Sequence, residues 1–247
     1  MAAEEIAVIA DVHGNAWALE AVLSDLQRRG LKSIVNLGDN ANGPLDPARS
    51  IELLRACGAA HVRGNGDRMT GECGATARAS AVFARERLDQ ESLRWLRELP
   101  TEIHGDGWMA FHATPRSDVE YLLENVSAGR AVLASRDEIS TRLGDAAGQA
   151  SLLLCGHTHI PRLVQLESGV IIVNPGSVGL PAYADDEPSP HVIETGSPHA
   201  RYAIVRYVDG GWHTEFISVP YGWRAAGAAA RAAGWSAWAK YVETGYA

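Results

Sequence analysis

Five short stretches of the chain end apolar runs with residues that bind hard or borderline metal ions. They are Asp11-Val12-His13, Gly38-Asp39-Asn40, Gly64-Asn65-Gly66-Asp67, Phe111-His112-Ala113 and Gly156-His157-Thr158-His159. Imidazole suits zinc, iron, nickel or manganese, and carboxylate and amide oxygens complete such shells. A carboxylate has two oxygens and can bridge two ions. Asp39 is the expected bridge, because it stands alone in its loop whereas Asp11 has His13 beside it. Two divalent ions, two carboxylates and a bridging hydroxide carry about +1 net, or about +2 with one trivalent ion. Such a centre attracts a phosphate oxyanion. Ions roughly 3.5–4 Å apart clamp both the attacking and the leaving oxygens and lower the pKa of a bridging water towards ~7. The chemistry to expect is hydrolysis of a phosphoester with that hydroxide as nucleophile, with Asp39, Asn65 and His112 at its heart. Each fragment alone has a bland reading: D-x-H as a polar turn, Gly-Asp as a turn, a lone His as a structural residue. Gly156-His157-Thr158-His159 is the most specific, and the order of all five carries the argument.

The runs before these residues read as strands. Ile6 to Ala10 is a short buried strand, and Ala16 to Arg29 has helical periodicity that stops at Gly30. Ser33 to Leu37 and Ala60 to Arg63 are further strands, with a helix from Pro47 to Cys57 between them. Gly74 to Leu99 is charged and helix-like, in two pieces. Trp108 to Phe111 is a strand, Ala128 to Leu143 a helix, and Ser151 to Cys155 a strand. Arg162 to Leu166, Val170 to Val173, Tyr202 to Val208 and Trp212 to Val219 are strands, the last two joined by an Asp209-Gly210-Gly211 turn. Units of strand and helix come first and paired strands later, which predicts an α/β layered sandwich with parallel and antiparallel parts. Ligands gather at the carboxyl ends of strands in such sheets. That would bring Asp11, His13, Asp39, Asn65, His112, His157 and His159 into one crevice. Pro181 to His199 is rich in Pro, Asp, Glu, Ser and Gly and reads as a mobile loop. The Ala-rich stretch Gly222 to Ala247 reads as a terminal helix. Its Trp235, Trp238 and Tyr241, at spacing three, pack on residues 1–221 or serve a dimer interface.

The 247 residues are 46% apolar and 21% charged, an ordinary globular composition rather than a disordered one. A net charge of −8, from 22 basic and 30 acidic residues, argues against duplex nucleic acid or an anionic membrane as main partner. It leaves a phosphate substrate open, since bound cations invert the local field. Three cysteines, Cys57, Cys73 and Cys155, without a C-x-x-C pair exclude a disulfide framework or a cysteine zinc knuckle. Reduced thiols in the cytoplasm are the expectation. Met-Ala-Ala-Glu-Glu carries acid where a secretory signal carries base, and no apolar stretch approaches ~20 residues.

Taken together these residues resemble the calcineurin-like metallophosphoesterases. The carriers are Asp11-Val12-His13, Gly38-Asp39-Asn40-Ala41-Asn42-Gly43, Gly64-Asn65-Gly66-Asp67, His112 and Gly156-His157-Thr158-His159. Phe111 to Arg116, Asn174 to Pro181, Pro220-Tyr221 and the Ala-rich tail look similar to a bacterial subgroup of small single-domain members. The resemblance implies a four-layer α-β-β-α sandwich, two mixed sheets flanked by helices, with the metal pair at the sheet edge. It implies Asp11, His13, Asp39 and His159 on one metal, and Asp39, Asn65, His112 and His157 on the other. Manganese and iron are the metals it suggests, with zinc, nickel or cobalt as further fits.

One departure bears on the substrate. The family's third motif usually has a His after the Asn, with the job of protonating the leaving group or holding the phosphate, and here that position is Gly66. General acid catalysis is worth typically 10²–10⁴ in rate. Its loss penalises poor leaving groups most, so the expected substrates are small phosphoesters, nucleotide phosphoanhydrides or activated phosphodiesters. His61, His191 or His199 could compensate, against a bland packing or surface role for each. Arg68 and Arg116 could fork onto phosphate oxygens, or form salt bridges. Asn40 could contact phosphate or shape its loop, and Asn174 orders a turn. The alternatives are a serine/threonine-type protein phosphatase and a non-catalytic scaffold on the same fold.

Overall fold

A computed structural model describes residues 5–72 and 77–247. Cys73 and the start of the helical stretch expected from Gly74 lie outside the described residues; Cys57 and Cys155 are free thiols. The elements run β1 (Glu5–Ile9), α1 (Ala16–Arg29), β2 (Ser33–Asn36), α2 (Pro47–Ala56), β3 (Ala60–His61), α3 (Asn65–Glu72), α4 (Ala79–Arg85) and α5 (Gln90–Glu98). Then come β4 (Glu102–Gly105), β5 (Trp108–Phe111), β6 (Glu124–Ser127), β7 (Arg130–Leu133), α6 (Arg136–Leu143), β8 (Leu152–Leu154), β9 (Arg162–Gln165) and β10 (Ile171–Asn174). The chain continues with β11 (Ala182–Asp185), β12 (His191–Glu194), β13 (Ala200–Val208), β14 (Gly211–Val219), α7 (Trp223–Ala232) and α8 (Ser236–Thr244).

Two mixed five-stranded sheets form the middle of the molecule, in the orders β14-β13-β1-β2-β3 and β4-β5-β8-β10-β9. In the first, β1, β2 and β3 are parallel and β13 runs antiparallel to β1. In the second, β5, β8 and β10 are parallel and the two edge strands are antiparallel. The β1 sequence explains the layering. Ala7 and Ile9 face α1, against Leu19, Val22 and Leu26. Ile6, Val8 and Ala10 face the other sheet, against Ala110, Leu152, Leu154 and Val173. A strand covered on both faces reads as an unbroken apolar run, which is what residues 6–10 show. Met109, Phe111, Leu153 and Ile172 turn to the far side and pack on Ile139 and Leu143 of α6. The order helix, sheet, sheet, helix follows, as the resemblance implied. No helix among the described residues is long and apolar enough to cross a membrane.

A third sheet, β11-β12-β7-β6, corrects two expectations. Residues 128–143 are not one helix. Ala128 and Gly129 turn a hairpin between β6 and β7, both with positive φ, and the helix starts only at Arg136, behind a Ser135–Glu138 capping box. Residues 181–199 are not a loop. β11 and β12 pair from Ala182↔Glu194 to Asp185↔His191, with Ile193 and His191 buried. Composition misled because the polar residues there meet partners far away in sequence: Arg78 takes Asp185, and Tyr121 takes His191.

Residues 222–247 form two helices rather than one. Ala226, Ala230, Ala239 and Val242 pack with Leu45 and Leu180, and Trp17, Tyr183, Tyr221, Trp235, Trp238 and Tyr241 surround that cluster.

Candidate metal centre

The loops after β1 and β2 are laced together through the backbone. Asp11 N–H donates to Gly38 C=O (2.9 Å), His13 N–H to Asp39 C=O (2.9 Å), and Gly14 N–H to Asn40 C=O (3.0 Å). The loop after β3 closes on them through Asp67. Its carboxylate accepts from the backbone N–H of Asp39, Asn40 and Gly64 and from the Asn40 amide, at 2.8–2.9 Å. Burial, and next the charge of Asp39, push the Asp67 carboxyl up to about 7, against those N–H groups. Gly64 has to be glycine: a Cβ there would lie 2.1 Å from Asp39 Oδ1. The β5 and β8 ends join through Gly156 N–H to His112 C=O (2.7 Å), and His157 N–H reaches Asp11 Oδ2 (3.1 Å).

All seven expected donors are drawn to this crevice. His13 Nε2 lies 3.0 Å from His159 Nε2, 4.0 Å from Asp11 Oδ1 and 3.7 Å from Asp39 Oδ2. His159 Nε2 is 3.4 Å from Asp11 Oδ1. On the other side, His112 Nε2 is 3.6 Å from Asp39 Oδ1 and 3.0 Å from Asn65 Oδ1. Two sets of donors thus close to within 4.8 Å: Asp11, His13 and His159, and Asp11, Asp39 and His112. His157 stays outside both sets, its ring centroid 5.0 Å from that of His112.

The outer nitrogens are pinned to backbone carbonyls, the usual second contact of a metal-binding imidazole. His13 Nδ1 meets Asn42 C=O (3.0 Å), His112 Nδ1 meets Leu37 C=O (2.7 Å), and His159 Nδ1 meets Leu180 C=O (2.7 Å). Each leaves Nε2 for the crevice. His157 is reversed: its Nε2 meets Val119 C=O (3.1 Å), so Nδ1 is the free nitrogen. Burial, then His112, push His157 down to about 4, towards the neutral form a metal needs. Asp11 goes the other way. Burial would raise it, yet His159, His112 and His13 hold it down to about 2.

The donors fit a cation. Asp11 Oδ1 is fully buried and has no hydrogen-bond partner among the described residues. An ionised oxygen in that state needs a positive charge. The His13 and His159 nitrogens facing each other pose the same demand. The backbone is also bent to this end. Asp11, His13, Asp39, His157 and His159 all have φ between 51° and 70°, a left-handed conformation that costs a non-glycine residue about 1–2 kcal/mol.

The substrate contacts expected from the sequence fare differently. Arg68 is held bidentate by Asp118 (2.6 and 2.9 Å). Arg116 donates to the carbonyls of Thr141 and Arg142 at the end of α6 (2.8 and 3.2 Å). Neither lines the cavity that holds His13, Asp39 and Asn65; both line a separate recess beside His112. Asn40 is fully buried and spends its amide on Asp67 and Asn36, so it shapes its loop. His61 packs edge-on against Trp95 (5.1 Å) and meets Asn36. His191 is bonded to Tyr121, and His199 lies 5.5 Å from Trp223. Asn174 donates to Gly156 C=O and Thr158 Oγ1, ordering the loop that carries His157 and His159.

The cavity itself, about 310 Å³, has a wall that sequence reasoning missed. Trp235, Trp238 and Tyr241 of the last helical segment face His13, His159, Asp39 and Asn65 across it, with Tyr183, Met69 and Arg78 beside them. Trp238 meets His13 edge-on at 6.0 Å and Tyr183 meets His159 at 4.7 Å. Arg78 is the cation of this wall, paired with Asp185 at 2.8 and 2.9 Å. Aromatic residues spaced for a packed helix gave no signal that they would also line a site.

The calcineurin-like phosphoesterase superfamily domain matches residues 5–197, from β1 to the end of the third sheet. The chain belongs to that superfamily. A crystal structure of a metallophosphoesterase from Sphaerobacter thermophilus superimposes with a TM-score of 0.75 at 28% identity, covering 98% of this chain and 99% of the other. An uncharacterized protein of Methanocaldococcus jannaschii, MJ0912, is 30% identical over 207 residues, 78% of this chain and 75% of that one. The superfamily is metal-dependent, and Asp11, His13, His159, Asp39 and His112 form the candidate ligand groups of this member.

Proposed function

We propose that the chain hydrolyses small phosphoesters whose leaving group is a good one and carries a ring: nucleotide phosphoanhydrides, or aryl and nucleoside phosphodiesters. Asp11, His13, Asp39 and His159 hold one metal, and Asp39, Asn65, His112 and His157 the other, with manganese and iron as the ions. The observation that carries this is the Asp39 carboxylate, one oxygen turned to His13 and the other to His112. A bridging ligand needs that placement. The cations supply Lewis acidity and a water with its pKa drawn towards ~7.

The chain's own residues do the rest. The Gly66 N–H fixes Asp39 Oδ1 at 2.7 Å, so the bridge cannot swing. Asp67 ties the second and third loops together, and the backbone carbonyls hold each imidazole in register. The aromatic wall offers flat apolar faces on the side opposite the donors. A base or aryl ring stacked on such a wall gains about 1–3 kcal/mol. Nothing at position 66 can donate a proton, which favours leaving groups that need none.

The test is elemental analysis of the purified protein together with a series of substrates graded by leaving-group pKa. Two transition-metal ions per chain and a rate that falls steeply as that pKa rises are expected. A metal-free, inactive protein sinks the reading, and a flat dependence sinks the part about the missing acid.

A further inference from the structure

The space above Gly66 is filled. A Cβ built on Gly66 would come within 2.1 Å of Asn42 Cγ, 2.2 Å of its Oδ1 and 2.3 Å of its Nδ2. The Asn42 amide therefore lies across the α-carbon of Gly66, and only glycine leaves room for it. Asn42 is 6% exposed, and Oδ1 is buried without a hydrogen-bond partner among the described residues. An uncommitted buried amide is costly, of the order of 1–3 kcal/mol. Yet Asn42 lines the same cavity as His13, Asp39 and Asn65, and its own carbonyl holds His13 Nδ1.

We infer that Asn42 is a substrate-positioning residue whose amide binds a non-bridging oxygen of the phosphate lying over the metal centre. Its N–H₂ donates to that oxygen, while the buried Oδ1 stays turned towards Gly66. An amide has no proton to release in the neutral range, so it holds the phosphate without serving as an acid. Gly66 and Asn42 are thus one unit: the glycine makes the room and the asparagine uses it. The inference deepens the proposed function and rests on it for the phosphate.

The experiment measures binding of orthophosphate to the manganese-loaded full chain by calorimetry, in wild type, Asn42→Ala and the isosteric Asn42→Asp. Metal content and melting temperature are followed in all three. Asn42→Ala should weaken orthophosphate binding roughly tenfold, about 1.4 kcal/mol, with metal content unchanged. Asn42→Asp keeps the volume but places an anion by the phosphate, and should weaken binding further. Wild-type affinity in either variant overturns the inference. So does a loss of binding that merely follows a loss of metal, or a wild type that takes up no orthophosphate when loaded. A wild type that hydrolyses phosphoesters while Asn42→Ala binds orthophosphate normally removes Asn42 and leaves the proposed function standing. An inactive wild type whose orthophosphate binding depends on Asn42 does the reverse.

Discussion

The two sides of the cavity are built on different terms. The donor side is made of five loops at strand ends, laced by backbone hydrogen bonds, with five residues in left-handed conformations and a carboxylate oxygen left without a partner. The opposite side is made of the β11–β12 hairpin and α8, with Tyr183, Trp238 and Tyr241 in regular secondary structure and Trp235 at the start of the helix. One side spends folding stability on chemistry. The other uses residues that any core would accept. Under the proposed function, chemistry is fixed on the first side and recognition is set on the second.

The sharpest way to break this division is at Asp39. Asp39→Asn keeps the shape but removes the charge that faces both histidines. Hydrolysis should fall by more than the roughly 10–100-fold that outer-shell changes cost a metal site. Elemental analysis should find fewer than two ions per chain. Full metal content with full activity would erase the distinction between the sides.

A second contrast lies between the candidate ligand histidines and His61, four residues before Asn65 but packed on Trp95. Burial pushes His61 down to about 4. Its folded form is neutral, whereas the unfolded chain takes up a proton below about 6.5. The stability tied to this difference is fully present above pH 6.5 and is lost as pH falls towards 4. Between pH 7 and pH 5 it amounts to about 2 kcal/mol. Urea unfolding of the metal-free protein should show that loss, and His61→Asn should lack it. An equal loss in the variant would show that His61 is no part of the acid sensitivity.

The smallest expected effect sharpens the other side. Trp238→Ala should raise KM for a dinucleoside polyphosphate about tenfold, the lower end of what base stacking is worth. Inhibition by orthophosphate, which has no ring, should stay within about twofold. Equal effects on both would mean that Trp238 supports His13 rather than the substrate.

The same division explains what the sequence reveals. That Asp11, His13, Asp39, Asn65, His112, His157 and His159 meet in one crevice was legible because strand ends in such sheets converge, and few residue types suit a metal there. The two main sheets were legible because buried parallel strands read as apolar runs. The third sheet was not, since β12 is held by β7 and by Tyr121, partners more than 50 residues away. Arg78 was invisible for the same reason: its claim on the cavity depends on Asp185, 107 residues on. Nearness in sequence to Asn65 and His112 did place Arg68 and Arg116 beside His112, but it said nothing about Asp118 or the end of α6, which hold them.

The positive φ angles at Asp11, His13, Asp39, His157 and His159 set fold and activity against each other. Glycine is the residue their backbone prefers, by about 1–2 kcal/mol at each. Heat selection alone, blind to turnover, would let these five positions drift to glycine and hand back an inert, sturdier shell. Under the proposed function, selection for turnover is what keeps the centre in place.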